Sequence, residues 1–147
     1  MNRWSIALIV LLCLGCIQQK DEIQVSDLSE DLACIFAPDI PEGIVITSQE
    51  EYETLLEYRA DSPACRNALL PHIDFSEHTL LGKYTTGSGC SVTFEKHVYR
   101  DAEHKKIIYN ITIVEEGNCE MMAMSMNWIT IPAVPTGYTV VFQVREN

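Results

Sequence analysis

The chain has 147 residues, six cysteines and 47% hydrophobic residues, with 21 acids against 10 Lys and Arg for a formal charge of −11. One domain of ordinary size fits that length and two do not. The acidic balance excludes a nucleic-acid partner, which needs a basic footprint, and the apolar content excludes a disordered chain.

At the start, Arg3 precedes an apolar run from Ile6 to Leu14. As a helix that run rises only about 13.5 Å, against the ~30 Å of a bilayer core, so residues 1–15 read as a secretory signal peptide. The ending Leu14-Gly15-Cys16 resembles a bacterial lipobox, although Cys13 stands where Leu is usual. That resemblance implies acylation of the Cys16 thiol (palmitate-type chains) and cleavage before it. Each buried methylene contributes about 0.8 kcal/mol, so two or three acyl chains hold a soluble body at a membrane. The mature chain has 147 − 15 = 132 residues and, without Arg3, a charge of −12. Next, Gln19-Lys20-Asp21-Glu22 resembles the lipoprotein export signal of Bacteroidota, which implies display on the outer face of the outer membrane.

Residues 16–65 hold twelve acids and two bases, whereas 66–147 hold nine and seven. The polar, acidic stretch 16–33 reads as a solvated tether, leaving 34–147 as a single domain. Ile44-Val45-Ile46 is a β-branched run expected as an entry strand. Ser48 and Glu51 have capping-box spacing, and Tyr52, Leu55, Leu56 and Ala60 share one helical face, so an amphipathic helix is expected over 49–60, stopped by Pro63. From Thr79 the period becomes two. Strands are expected over 80–85, from Val92 to Val98 (with Lys96 interrupting the apolar row), and over 105–114, 120–131 and 138–144, with turns at 87–89, 115–118 and 132–137. Short connections suggest neighbours in one antiparallel meander. The fold expected is α+β: a strand and helix packed on a five-stranded meander sheet.

Four cysteines remain in the mature domain: Cys34, Cys65, Cys90 and Cys119. An even count in an exported chain reads as two disulfides, with three connectivities open. Cys90 begins the second meander strand and Cys119 precedes the fourth, which places them at one end of the sheet. Cys34 and Cys65 flank the strand–helix unit. The expected pairs are therefore Cys34–Cys65 and Cys90–Cys119.

No catalytic constellation emerges. Gly87-Ser88-Gly89 lacks the G-x-S-x-G elbow, and His72, His78, His97 and His104 share no ligand spacing. Glu115, Glu116 and Glu120 do not follow the EF-hand pattern. No cofactor, metal or enzymatic activity is expected. The row Met122, Met124, Met126 and Trp128 falls on one strand face, and methionine is over-used at adaptable binding surfaces. A core face packed by a helix needs a similar row. The candidate binding residues are these four with Thr86, Gly87 and Gly89 of the preceding turn.

The order of the helix, Leu70-Pro71-His72-Ile73-Asp74-Phe75, the turn Thr85-Thr86-Gly87-Ser88-Gly89-Cys90-Ser91-Val92 and the closing Ile131-Pro132-Ala133-Val134-Pro135-Thr136-Gly137 resembles the PrcB C-terminal domain family over about residues 44–145. In that family's turn a glycine pair precedes an aromatic; here Ser88 separates the glycines and Cys90 replaces the aromatic. The resemblance implies a non-catalytic role in stabilising or escorting an exported partner, with a protease as the candidate. The alternative is a glycan- or small-molecule-binding accessory lipoprotein, which requires Trp128, Tyr138 and Tyr84 to share one solvent-facing surface.

Overall fold

The period-two alternation after residue 78 produces four strands of eleven residues each. The computed structural model describes residues 20–59, 65 and 69–147. In chain order the elements are β1 (Asp21–Ile23), β2 (Ser26–Asp27), β3 (Ile44–Ile46), α1 (Gln49–Arg59), β4 (His78–Ser88), β5 (Ser91–Asp101), β6 (Lys106–Glu116), β7 (Met122–Pro132) and β8 (Thr139–Glu146). Among the described residues no helix is long and apolar enough to cross a membrane.

These strands form two four-stranded sheets, ordered β1-β5-β6-β8 and β2-β7-β4-β3, rather than one five-stranded meander. The reason lies in a long antiparallel ribbon that is bent double. β4 pairs with β7 along its whole length, from His78↔Pro132 to Ser88↔Met122. The ribbon resumes as β5 with β6, from Ser91↔Glu116 to Asp101↔Lys106. Between the two halves one side spends residues 89 and 90, the other 117 to 121, and this inequality turns the ribbon onto itself. Consecutive strands β4 and β5 therefore belong to opposite sheets, as do β6 and β7. The final strand returns to the first sheet and pairs in parallel with β6, Lys106↔Thr139 to Ile113↔Glu146.

Both expected disulfides are present. Cys90–Cys119 staples the bend, and Cys34–Cys65 ties the segment before β3 to the chain beyond α1. Their closed loops, with sequence separations of 31 and 29, each contribute roughly 3–4 kcal/mol in the chain-entropy account.

The second sheet is packed on both faces, the outer one over only part of its length. Leu81, Ile129 and Ile131 pack between the sheets against Val98, Ile107, Tyr109 and Ile111. Leu80, Met126 and Trp128 face the other way, onto a covering layer made by Leu32, Ile35, Ala37, Tyr52, Leu55 and Ile73. Gly82 makes this second packing fit, since a Cβ there would lie 2.2 Å from the Trp128 ring. In α1 the Ser48 hydroxyl accepts the Glu51 N–H at 3.2 Å, and Glu51 reaches back to the Thr47 N–H at 2.7 Å, as capping predicts. Tyr52 and Leu55 supply its buried face; Ala60 lies outside the described residues.

The stretch expected as a tether through residue 33 is part of the domain from residue 21. β1 pairs with β5 and β2 with β7, and Leu32 and Ile35 are fully buried. Composition misleads here because Ile23, Val25, Leu28 and Leu32 are dispersed among acids yet each packs inward. Lys96, whose side chain is only 12% exposed, turns inward and its ammonium bonds Asp27 of β2. Ser29 Oγ accepts a second bond from it at 3.0 Å. That pairing resolves the interruption of the β5 apolar row.

Partial burial pushes the Asp27 carboxyl up, but the bonds from Lys96 and Ser29 outweigh it and hold the group below the ordinary Asp value. A carboxyl depressed in the folded state adds stability that is complete above the unfolded pKa and is lost as pH falls through the folded one. Urea denaturation should therefore give a constant stability at neutral pH that declines below about pH 4. Asp27→Asn should make that acid limb shallower; an unchanged limb would show that this pair does not couple folding to protons.

Candidate functional site

The methionine row splits into two unlike halves. Met126 and Trp128 are 5% and 0% exposed, whereas Met122 and Met124 are 71% and 60% exposed and the adjoining Met121 is 64%. Alternation puts Met122, Met124 and Met126 on the same face as their partners Ser88, Thr86 and Tyr84 across β4. The covering layer reaches Trp128, whose indole N–H donates to the Ile35 carbonyl at 3.0 Å. It ends at Phe36, half open to solvent, which meets Tyr84 edge-on with centroids 5.2 Å apart. Beyond that pair, among the described residues, nothing covers the second sheet's outer face as far as the Cys90–Cys119 staple.

The result is a continuous apolar strip, Phe36–Tyr84–Met124–Met122, on a rigid sheet. Thr86 lies exposed within it. Gly87 points to the opposite face, where an added Cβ would lie 2.6 Å from Val92 and 2.8 Å from Ile113, so its size serves sheet-to-sheet approach. Gly89 is buried in the bend and donates its N–H to the Met121 carbonyl at 3.0 Å. Beside the strip, a cleft of about 160 Å³ is lined by Thr86, Gly87, Ser88, Glu115, Met122 and Glu146. Glu115 is fixed there by the Ser88 N–H at 2.5 Å.

The rim of this end is acidic. Glu115, Glu116, Glu120 and Glu146 are exposed, and the sequence from 107 to 144 contains no Lys or Arg. The nearest cation along β4, Lys83, is held by the Pro41 carbonyl.

The other sequence candidates are scattered. Cys16 and Gln19 lie outside the described residues. Of the residues read in the sequence as an export signal, Asp21 and Glu22 are in β1, where Glu22 contacts His97 Nδ1 at 2.8 Å, and Lys20 lines a cleft on the outer face of the first sheet. His72 and His78 share a cleft with Asp74, whose carboxyl is held below its ordinary value chiefly by the Ser76 hydroxyl and N–H. Asp101 is lowered chiefly by the His104 N–H. Among the described residues, no three His, Cys, Asp or Glu side chains are placed to hold a metal ion. Sequence reasoning missed Phe36 and Met121. The signal for Met121 was available, because it adjoins the row; that for Phe36 was not, because its role depends on where the covering layer stops.

The three aromatics proposed for a glycan platform do not converge. Trp128 is in the core, Tyr84 is on the outer face of the second sheet, and Tyr138 packs at the interface between sheets. Compared with known proteins, the chain matches no family model, no curated sequence and no solved structure.

The split of the row has a direct consequence. Trp128→Ala removes a fully buried ring and should cost about 3–5 kcal/mol in chemical denaturation. Met124→Ala should change stability by no more than about 0.5 kcal/mol, as expected for an exposed site. Comparable losses for the two would mean that Met124 is covered.

Proposed function

We propose that the protein is a lipid-anchored, non-catalytic lipoprotein of the bacterial outer membrane, surface-exposed, that binds and stabilises or escorts another exported protein. The observation that carries this reading is the uncovered strip of Met122, Met124, Tyr84 and Phe36, held rigid beside a disulfide. Exposed contiguous apolar surface rimmed by polar residues marks interaction sites, and methionine adapts its shape at little cost. A central apolar patch within an acidic rim has the anatomy of a protein interface. The resemblance to the PrcB C-terminal domain supports a protease as the escorted partner.

The anchor is supported by the signal-like run and Cys16. Because β1 begins at Asp21, a tether from Cys16 would be only a few residues long and would keep the domain close to the lipid surface. A second reading, an accessory lipoprotein for a glycan or small molecule, has one observation in its favour. The outer face of the first sheet carries a cleft of about 270 Å³ lined by Lys20, Tyr99, Asn110, Gln143 and Arg145. That reading requires no contribution from Met122 or Met124.

Two measurements test the proposal. Cys16→Ser should move the protein from the membrane to the soluble fraction on centrifugation; continued pelleting with membranes would remove the lipid anchor from the reading. Met122→Lys with Met124→Lys should abolish recovery of the crosslinked exported partner from the producing cells while leaving thermal unfolding nearly unchanged. Full recovery with the double variant would shift the binding function away from this strip.

A further inference from the structure

The same strip ends in a strand edge that no described strand pairs, and the hydrogen-bond register identifies which backbone groups face it. Gly89 donates to Met121 O at 3.0 Å and Ala133 to Glu77 O at 2.8 Å, both on the β4 side of β7. Antiparallel pairing alternates, so the odd residues of β7 bond β4 and the even ones face away. On that outer side Leu28 donates to Trp128 O at 2.9 Å, continuing the ladder that β2 forms at Ser26↔Thr130. The chain then turns off: the Asp27 carboxylate accepts the Ser29 N–H at 2.9 Å, and the Ser29 hydroxyl accepts the Trp128 N–H at 3.0 Å. From Met126 back to Met122, no described strand occupies the track. The N–H and C=O groups of Met122, Met124 and Met126 point into it.

Open edges are ordinarily blunted by charge, proline or a bulge. The corresponding stretch of β5 carries Glu95, Lys96 and His97. The β7 stretch Met122-Ala123-Met124-Ser125-Met126-Asn127 carries no charge and no proline. Resting on the reading that this end of the second sheet binds an exported protein, we infer that the partner contributes an extended segment that adds as a strand to β7 at Met122–Met126. Its main-chain groups meet the three outward pairs, and its alternate side chains lie beside Met122 and Met124. The acidic rim selects a segment flanked by Lys or Arg. A second copy of this chain, with its net charge of −11, would bring acid against acid.

The test uses the whole chain, natively produced, with three synthetic probes: a Lys-Val-Thr-Val-Thr-Val-Lys heptapeptide, its Glu-flanked counterpart, and the Lys-flanked peptide N-methylated at alternate amides. Amide exchange followed by NMR should slow at Met122, Met124 and Met126 with the Lys-flanked peptide. Ala123 and Ser125, already bonded to β4, should not change. The Glu-flanked peptide should bind roughly tenfold more weakly at low salt, and the N-methylated one not at all. Met124→Pro removes one outward N–H without touching the β4 ladder and should also abolish slowing at Met122 and Met126.

Peptide binding lost with Met122→Lys and Met124→Lys but indifferent to N-methylation and to Met124→Pro would overturn strand addition while sparing the strip as a site. No slowing with any probe at millimolar concentration overturns strand addition, and partner recovery with the double-lysine variant then judges the strip on its own. Slowed even-numbered amides in a dimer without peptide would assign the edge to a second copy and overturn the inference.

Discussion

The bend of the β4–β7 and β5–β6 ribbon is the constraint from which the remaining structure follows. Folding one long ribbon in half creates both sheets at once and brings Leu81, Ile129 and Ile131 against Val98, Ile107 and Ile111. The unequal sides of the bend, two residues against five, set the direction of the turn, and Cys90–Cys119 fixes it. Gly87 lets the sheets close near the bend because nothing larger than hydrogen fits between it and Val92. Once closed, the second sheet has a finished inner face and an unfinished outer one. The N-terminal segment and α1 exist, physically, to cover that outer face.

They cover it incompletely, and the polar contacts show where the cover stops. The N-terminal segment passes from the first sheet to the second through β1 and β2, and Lys96 with Asp27 clasps it to the gap between them. A half-shielded ion pair of this kind adds modest stability but fixes register, since a slipped segment would leave the Lys96 ammonium buried without a partner. A polar layer continues inward. Asn127 donates to Thr85 Oγ1 at 2.7 Å and to Lys83 O at 3.1 Å, and its own carbonyl accepts the Tyr109 hydroxyl at 3.2 Å. Burial first, and the nearby Asp27 charge second, push the Tyr109 phenol far above its ordinary value, so it stays a neutral donor. Past Ser29 the chain rises over Trp128 toward Ile35, leaving Met122 and Met124 of β7 to solvent on one face and the edge beside them without a described neighbour.

Features carried by local pattern were legible in the sequence. The helix and both disulfide pairs are where the spacing of Tyr52, Leu55 and the cysteines put them, and the strands follow the period-two runs, although β4 continues to Ser88 through part of the turn expected at 87–89. Partition of the strands was not legible, because a short connection says that two strands are near each other and not that they share a sheet. At residues 89–90 the two readings have the same length and the same turn residues. The acidic segment misled for a different reason: Asp21, Glu22, Asp27 and Asp31 dominate its composition, while the packing is done by Leu28, Leu32 and Ile35 between them. The methionine row was visible as a row, but whether a given methionine is core or surface depends on a covering layer drawn from Leu32 to Ile73, far earlier in the chain.

The open edge raises the question of how the chain avoids pairing with itself, since Met122–Asn127 has the neutral, proline-free character of aggregating segments. Protection by charge need not come from the strand. Glu115, Glu116, Glu120 and Glu146 stand at the same end, and the cation adjoining them in sequence, Arg145, lines the cleft on the outer face of the first sheet with Tyr99 and Asn110. An identical edge approaching with its own four acids meets repulsion before any hydrogen bond forms, and that repulsion acts within a Debye length of about 8–10 Å. A basic-flanked strand meets attraction over the same distance. The acidic rim thus serves as both gatekeeper and selector, and it permits an apolar edge to stay exposed on a domain that Cys90–Cys119 and the inter-sheet core hold rigid. Lipid anchoring, if Cys16 is acylated, would confine neighbouring copies to a plane and raise their local concentration, which makes repulsion between rims all the more necessary.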